Sequence, residues 1–342
     1  MPGTTSARRI RRQSRVPDVM WFSASTTEKP PSHSVRDTAM PLHSKTPLIE
    51  SRALSLASCR QIRLKMETMQ PVGSFKIRGI GAACEEYLRR GANRFISSSG
   101  GNAGIAVAYA GRRLSVPVIV VVPETTSERA RELIRQEGAR LIVHGATWME
   151  ANEKAQSMVG GSDAFLHPFD DPLLWSGHAT LIDEIADSGS KPDAIMLAVG
   201  GGGLLSGVVE GLIRNDWADV TVVAVETEGA ASFHGSIRAG HRIELDKITS
   251  IATSLGAKMV CERAFELAGT HPMRSAVVTD AAAVLACDRF LDDQRTLVEP
   301  ACGAALAAIY ENLPCLSDFE TIVLIVCGGA TTTAEQLRQW SE

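Results

Sequence analysis

A lysine set between glycines is the first residue of this chain whose surroundings suggest chemistry. Lys76 lies in Pro71-Val72-Gly73-Ser74-Phe75-Lys76-Ile77-Arg78-Gly79, where Gly73 and Gly79 supply backbone that lets a ligand approach closely. A lysine amine forms a Schiff base with a carbonyl compound once burial or a nearby cation lowers its pKa. Most lysines are only solvated surface charges, and this segment alone does not decide between the two readings. The second candidate is Gly200-Gly201-Gly202-Gly203, which follows the apolar run 194–199 and precedes a helical pattern over 204–214. Bare backbone amides at a helix N-terminus bind anions, and glycine admits a phosphate without an intervening Cβ. A plain strand-to-helix turn would need one or two glycines, so four favour phosphate binding. A third segment, Ser97-Ser98-Ser99-Gly100-Gly101-Asn102-Ala103-Gly104, offers amides and the Asn102 side chain to a carboxylate or oxyanion. Its plainer reading is a hydrogen-bonded turn. Together the three segments would surround one phosphorylated, carbonyl-bearing cofactor.

Other chemistries lack their residues. No Gly-Lys-Ser/Thr follows the four glycines, so they are not a P-loop. Gly203 is followed by Leu204, Leu205, Ser206 and only then Gly207, which breaks the dinucleotide fingerprint. The eight histidines show no HxxxH or HxH pairing, against a catalytic metal. His178 falls in a helical stretch and reads as structural. No GxSxG elbow anchors a hydrolase triad. The acid pair Asp170-Asp171 lies between Pro168 and Pro172, where turn and helix-capping roles outweigh catalytic ones.

The elements that must position these residues alternate between strand and helix. Strands are expected at 62–66, 95–96, 116–122, 141–143, 194–199, 220–225 and 322–326. Helices are expected at 79–90, 105–114, 127–137, 177–186 and 204–214. Alternation at this spacing means parallel α/β units. The Pro168–Pro172 region breaks the pattern and reads as a crossing between domains.

At 342 residues the chain can bury a large core, and its 44% hydrophobic and 22% charged content is that of an ordinary globular protein. A net charge of -4 gives no general attraction to nucleic acid or an acidic membrane. No apolar run approaches the ~20 residues that span a bilayer. Seven scattered cysteines without CxxC spacing suggest reduced thiols of the cytosol or an organelle matrix. Residues 1–40 differ from the rest. Five arginines from Arg8 to Arg15 stand among serines and threonines, with no acid before Asp18. This is the composition of a mitochondrial transit peptide. A disordered tail, or an upstream extension with Met40 as the true start, accounts for it equally well, so a cytoplasmic and a mitochondrial location both stay open.

From about Pro41 to near the C-terminus the sequence resembles the fold-type II pyridoxal-phosphate enzymes, most closely the animal and fungal L-serine dehydratases/L-threonine deaminases. The segments that carry the resemblance are GSFKIRGIG, SSSGGNAG, PFDDP, VGGGGLLSGVV, ITSIATSLGAK, LVEPACGAALAA and IVCGG, in that order. It implies an α/β fold of the tryptophan-synthase β type, with two open parallel-sheet domains and the cofactor in the cleft between them. The larger, cofactor-binding domain would take residues 41–72 and 171–342, the smaller one 73–170.

The same resemblance implies the site. Lys76 would hold pyridoxal 5'-phosphate as a Schiff base and, once released by substrate, move the Cα proton. Phe75 would pack beside the cofactor ring and Asn102 would hydrogen-bond its phenolic oxygen. The amides of Gly200, Gly201, Gly202 and Gly203 would hold the phosphate, which would be the acid for departure of the β-hydroxyl. Cys327 would sit at the pyridine nitrogen. Ser99, Gly100, Gly101 and Ala103 would face the substrate carboxylate. Glu226, Ala230 and Ser232, with the carbonyls of Leu255 and Ala257, would form a potassium site. The implied reaction is β-elimination of L-serine to pyruvate and ammonia, and of L-threonine to 2-oxobutyrate and ammonia, by a homodimer in amino-acid catabolism that feeds gluconeogenesis. Val72 stands where close relatives carry serine, and Ala330-Thr331-Thr332-Thr333 departs from the close pattern. Gly100 occupies the position at which racemases of this fold carry an acid/base serine, which argues against racemisation. The chain stops soon after Trp340, without the regulatory domain of biosynthetic threonine deaminases. Four rivals stay in view: a β-replacement synthase of the same fold, a threonine-preferring deaminase, a binding module without turnover, and a dinucleotide oxidoreductase that lacks its fingerprint.

Overall fold

A computed structural model describes residues 40–341. The expectations for residues 1–39 fall outside it. Ten strands are found among the described residues: β1 (Leu48–Glu50), β2 (Gln61–Met66), β3 (Arg94–Ser97), β4 (Val118–Val122), β5 (Arg140–Val143), β6 (Asp163–Leu166), β7 (Ala194–Ala198), β8 (Thr221–Thr227), β9 (Met273–Val278) and β10 (Thr321–Val326). They form a six-stranded sheet in the order β1-β2-β10-β7-β8-β9 and a four-stranded sheet in the order β5-β4-β3-β6. Every pairing is parallel except β1 with β2. Parallel sheets need crossovers that cover both faces, so their central strands read as unbroken apolar runs rather than alternating ones. Val118–Val122 and Ala194–Ala198 are buried at every position for this reason.

The β2–β10 pairing puts two distant stretches side by side. Cys327 follows the last residue of β10, and its carbonyl accepts the N–H of Phe75 at 3.1 Å. The Gly329 N–H donates to Gly73 O at 2.9 Å, and Ser74 bridges Gly328. The segment that leads into Lys76 is thereby pinned to the end of a buried central strand.

Below it lies a closed ionic cluster. Arg78, fully buried, donates to Glu67 (Nε to Oε2, 2.7 Å) and to Glu184 (Nη1 to Oε1, 2.7 Å). Lys65 bonds the same Glu184 and the Thr46 carbonyl. Two cations and two carboxylates balance, and they tie the Lys76 helix to β2 and to the helix Pro172–Ala186.

Several boundaries differ from the sequence reading. The helix expected from residue 79 begins at Lys76 and runs to Arg89. The one expected from 105 begins at Asn102. Both candidate residues therefore stand on first helical turns rather than in the loops before them. The expected 116–122 strand begins at Val118, and the expected 177–186 helix begins at Pro172. Asp171 caps that helix by accepting the Leu173 N–H at 2.8 Å, and it also takes the Tyr87 hydroxyl at 2.6 Å. Sequence reasoning missed β1, β6 and β9. The first two are strands of three and four residues, and the third is an edge strand with only Val278 buried.

Candidate active site

The Lys76 amine projects into a cavity of about 520 Å³ that opens beyond the ends of both sheets. Its Nζ donates to the Pro168 carbonyl at 2.7 Å. Burial pushes the amine down to about 8, partly opposed by Cys327 and Glu299. A lysine near 8 is substantially unprotonated at mildly alkaline pH, as a nucleophilic amine has to be. Phe75 lines the same cavity, and behind it lies the fully buried His178 with ring centroids 5.0 Å apart. His178 is absent from the cavity wall, in keeping with its structural reading.

Gly200, Gly201, Gly202 and Gly203 form the opposite wall. Gly203 is the first residue of the helix Gly203–Arg214, and Gly202 caps it with φ +90°, a conformation that favours glycine. Their four N–H groups donate to no protein group among the described residues. Unpaired amides at a helix N-terminus are a ready anion site. The expectation that a mere turn needs one or two glycines is corrected here, because packing alone excludes a Cβ at every position. At Gly201 a Cβ would lie 2.3 Å from the Phe169 ring, at Gly203 2.4 Å from the Phe169 carbonyl, and at Gly200 2.9 Å from Leu255 Cα. The argument for an anion therefore rests on the orphan amides rather than on the number of glycines.

Between these walls stand Ser99, Asn102, Ala103 and Cys327. Gly100 and Gly101, expected to face a substrate, are not on the cavity surface. Gly100 instead packs against Thr126, 2.5 Å from where its Cβ would sit. The Cys327 thiol is held well above its ordinary pKa by its hydrogen bond to Cys302 and by burial, so it stays neutral. Sequence reasoning assigned no role to Glu299, a buried carboxylate on the cavity wall. Burial raises it, against hydrogen bonds from Ser254, Asn102 and Thr331 and the charge of Lys76. A Glu-Pro pair ahead of the wholly buried first ten residues of the helix Pro300–Tyr310 was the available signal. At the mouth, Thr147, Trp148 and Met149 face Glu244, Lys258 and Met259, none of them expected. A wider surface depression around Cys59, Arg60 and Phe319 is open to solvent and gathers no convergent reactive groups.

The expected cation residues lie apart from this cavity, except that Leu255 and Ala257 lie on its wall. Glu226, near the end of β8, accepts the N–H groups of Phe233 (2.9 Å) and His234 (2.6 Å), so it caps the helix Ser232–Ala239. Burial raises its carboxyl to about 7. The Ser232 hydroxyl nearby is buried with no partner among the described residues, and Ala230 is fully buried.

An amine of depressed pKa facing orphan amides at a helix N-terminus suits a phosphorylated aldehyde, and comparison with known proteins decides the family. Residues 39–328 match the family described as "Pyridoxal-phosphate dependent enzyme". The chain belongs to this family. A "Serine dehydratase-like" protein of Mus musculus is 48% identical over 312 residues, which cover 88% of this chain and 94% of that protein. The "L-serine dehydratase/L-threonine deaminase" of Homo sapiens is 46% identical over 313 residues, covering 88% and 95%. Among solved structures, a fungal L-serine ammonia-lyase from Rhizomucor miehei superposes with a TM-score of 0.84 at 39% identity, covering 88% of this chain and 98% of that one. The expected fold-type II α/β architecture of this pyridoxal-phosphate-dependent enzyme is borne out by its two parallel sheets and these neighbours. No helix among the described residues is long and apolar enough to cross a membrane.

Proposed function

We propose that this chain is an L-serine ammonia-lyase that converts L-serine to pyruvate and ammonia and L-threonine to 2-oxobutyrate and ammonia. The observation that carries the reading is the buried Lys76 amine facing the orphan N–H groups of Gly200, Gly201, Gly202 and Gly203 across one cavity. The relatives named for serine dehydration support the choice of substrate. Residues 41–72 with 171–342 would form the larger domain and 73–170 the smaller, a division supported by the separate four-stranded sheet. A homodimer, a cytoplasmic or mitochondrial location and the absence of a nucleic-acid partner belong to the same proposal; the first rests on the resemblance, the second on the scattered cysteines and the arginine-rich start, the third on the net charge of -4.

The residues present fit pyridoxal phosphate. When bound, the cofactor withdraws electrons from the substrate Cα through its conjugated ring. Lys76 would supply the amine that holds it, and the same amine, unprotonated, would be the base at the substrate Cα. The four glycine amides meet the phosphate charge with oriented dipoles. Phe75 would pack beside the cofactor ring, and Asn102 would donate to its hydroxyl oxygen. The neutral Cys327 thiol would sit at the ring nitrogen and add no charge there, which would favour prompt loss of the β-hydroxyl. Ser99 and Ala103, at the start of the helix Asn102–Leu114, orient the substrate carboxylate, with Gly100 and Gly101 shaping the loop behind them. Potassium held by Glu226, Ala230 and Ser232 and the carbonyls of Leu255 and Ala257 would satisfy the Ser232 hydroxyl and favour the ionised Glu226.

The test is the visible absorption of the purified protein together with pyruvate release from L-serine. A visible band and pyruvate, both lost in Lys76→Ala, are expected. A band without pyruvate, with turnover appearing only when a second nucleophile is added, would move the assignment to β-replacement. Absence of a band after reconstitution with pyridoxal phosphate refutes the proposal.

A further inference from the structure

Glu299 is a buried carboxylate in the cavity to which the proposed reaction gives no part. Its Oε1 accepts Asn102 Nδ2 at 2.8 Å, and its Oε2 accepts the Thr331 hydroxyl at 3.2 Å. The other end of the Asn102 amide, Oδ1, accepts the Ala330 N–H at 3.0 Å. These contacts fix the amide's orientation, nitrogen toward Glu299 and oxygen toward the 330 backbone. An amide nitrogen carries two hydrogens. Glu299 uses one, and the second has only a marginal contact with Ser254 Oγ at 3.5 Å. The fold makes room for this carboxylate at a cost in backbone freedom. Gly329 sits at φ +139°, and a Cβ there would fall 2.1 Å from the Glu299 carboxyl.

We propose that Glu299 is the positioning residue for Asn102, holding the amide so that its free Nδ2–H faces the cofactor's ring oxygen. The proposal rests on the pyridoxal-phosphate reading of the cavity and on Asn102 as the donor. With the Glu299 acceptor gone, only the Ala330 N–H still holds the amide, through Oδ1; the nitrogen end is no longer fixed, and turning over sets its oxygen against the ring oxygen. Two acceptors then meet where a donor and an acceptor met, and the bond is lost.

The experiment titrates pyridoxal phosphate into the apoproteins of wild type, Glu299→Leu, Glu299→Gln, Asn102→Ala and the Glu299→Leu/Asn102→Ala double variant. It reads the dissociation constant and the position of the visible band, with thermal melting as the control for folding. Glu299→Leu and Asn102→Ala should each weaken binding by about tenfold or more and shift the band, as loss of a hydrogen bond to a charged partner does. Glu299→Gln keeps an oxygen for Asn102, and the Thr331 hydroxyl can accept from its new NH₂, so it should stay within about threefold of wild type. Because Glu299 acts through Asn102, the double variant should bind no more weakly than Asn102→Ala alone. An unchanged band and affinity in Glu299→Leu overturn the proposal, and so do losses that multiply in the double variant. A large loss in Glu299→Gln overturns it as well. Should Glu299→Leu fail to fold, Glu299→Asp, which withdraws the carboxylate by one methylene, takes its place, and a loss that persists in the Asn102→Ala background refutes the idea. A wild type without any Lys76-dependent band sinks the cofactor reading and this proposal together. A normal wild-type band with independent losses sinks this proposal alone.

Discussion

Replacing Lys76 by methionine should change how the apoprotein's stability depends on pH, and the size of the change follows from the amine's environment. Burial takes Lys76 from the ordinary lysine value of 10.5 to about 8. The unfolded chain therefore binds one more proton than the folded chain between these two values, and stability rises with pH in that window. At ~1.4 kcal/mol for each pH unit, the cost of burying the charge is on the order of 3 kcal/mol below the folded pKa and fades to zero above the unfolded one. The side chain still meets solvent in the cavity, so this is a ceiling. Urea unfolding of apo wild type and apo Lys76→Met, measured in steps from about pH 7.5 to about 10.5, isolates the effect because all other groups cancel in the difference. Loss of the contact with the Pro168 carbonyl adds an offset without a slope. Wild type should gain on the variant steadily as pH rises, by about 2–3 kcal/mol in all. Parallel curves would mean that the amine titrates as a solvated lysine, and the argument for an activated nucleophile would fail.

Three further outcomes follow from the geometry. Gly203→Ala puts a methyl 2.4 Å from the Phe169 carbonyl, so the loop must shift. Overpacking of this kind costs about 1–3 kcal/mol in a melting experiment, and cofactor affinity should fall with it. Glu67→Leu leaves Arg78 buried with half its partners, which should cost about 3–5 kcal/mol by urea titration; a loss below about 1 kcal/mol would show that the cluster rearranges freely. Glu226, raised to about 7 by burial, is neutral in the folded state below that value and charged above it. Potassium should therefore raise the melting temperature more at pH 8 than at pH 6, taken as about one unit either side, with tetramethylammonium as the control. Glu226→Gln should abolish the difference, and equal potassium effects at both pH values would rule out this carboxylate as a ligand.

The parts of the site that were legible in the sequence are those whose chemistry is contiguous. Lys76 with its flanking glycines, the four glycines after β7 and the SSSGGNAG loop each carry their residue types within a few positions, and the last two follow on strands β7 and β3. Glu299 was illegible because its meaning depends on Asn102, 197 residues earlier, and on Thr331, 32 residues later. Its one local signal, a Glu-Pro pair ahead of a wholly buried helical run, does not tell a site residue from a glutamate that merely starts a helix. The helix starts at Lys76 and Asn102 were misplaced for a related reason. Neither has a side-chain cap, so the usual Ser/Thr/Asp signal was missing, and tertiary contacts begin these helices instead. The pairing of Phe75 with Cys327 and of Gly73 with Gly329 does that work from 250 residues away. Strand β9 escaped notice because an edge strand with one buried residue has no apolar pattern to read.

One physical cause runs through three ionisable groups on the cavity wall, Lys76, Glu299 and Cys327. Burial lowers the Lys76 amine, raises the Glu299 carboxyl and contributes to raising the Cys327 thiol. Each shift favours the uncharged form, since a low-dielectric wall penalises charge of either sign. None of these three groups is a strong, permanent cation that would pair with a phosphate. What the cavity offers an anion is the set of unpaired N–H groups at Gly200, Gly201, Gly202 and Gly203, which carry partial positive charge without a titratable proton. The division of labour follows from this. Backbone dipoles hold the permanent charge of a ligand, and side chains near neutrality stay free to exchange protons with it. A lysine flanked by strong cations would already be deprotonated but would compete for the phosphate. One beside an ionised carboxylate would stay protonated and inert. Lys76 feels only a partial opposing pull from Cys327 and Glu299, and its pKa is set chiefly by desolvation, which is why it should respond to hydration of the cavity more than to ionic strength.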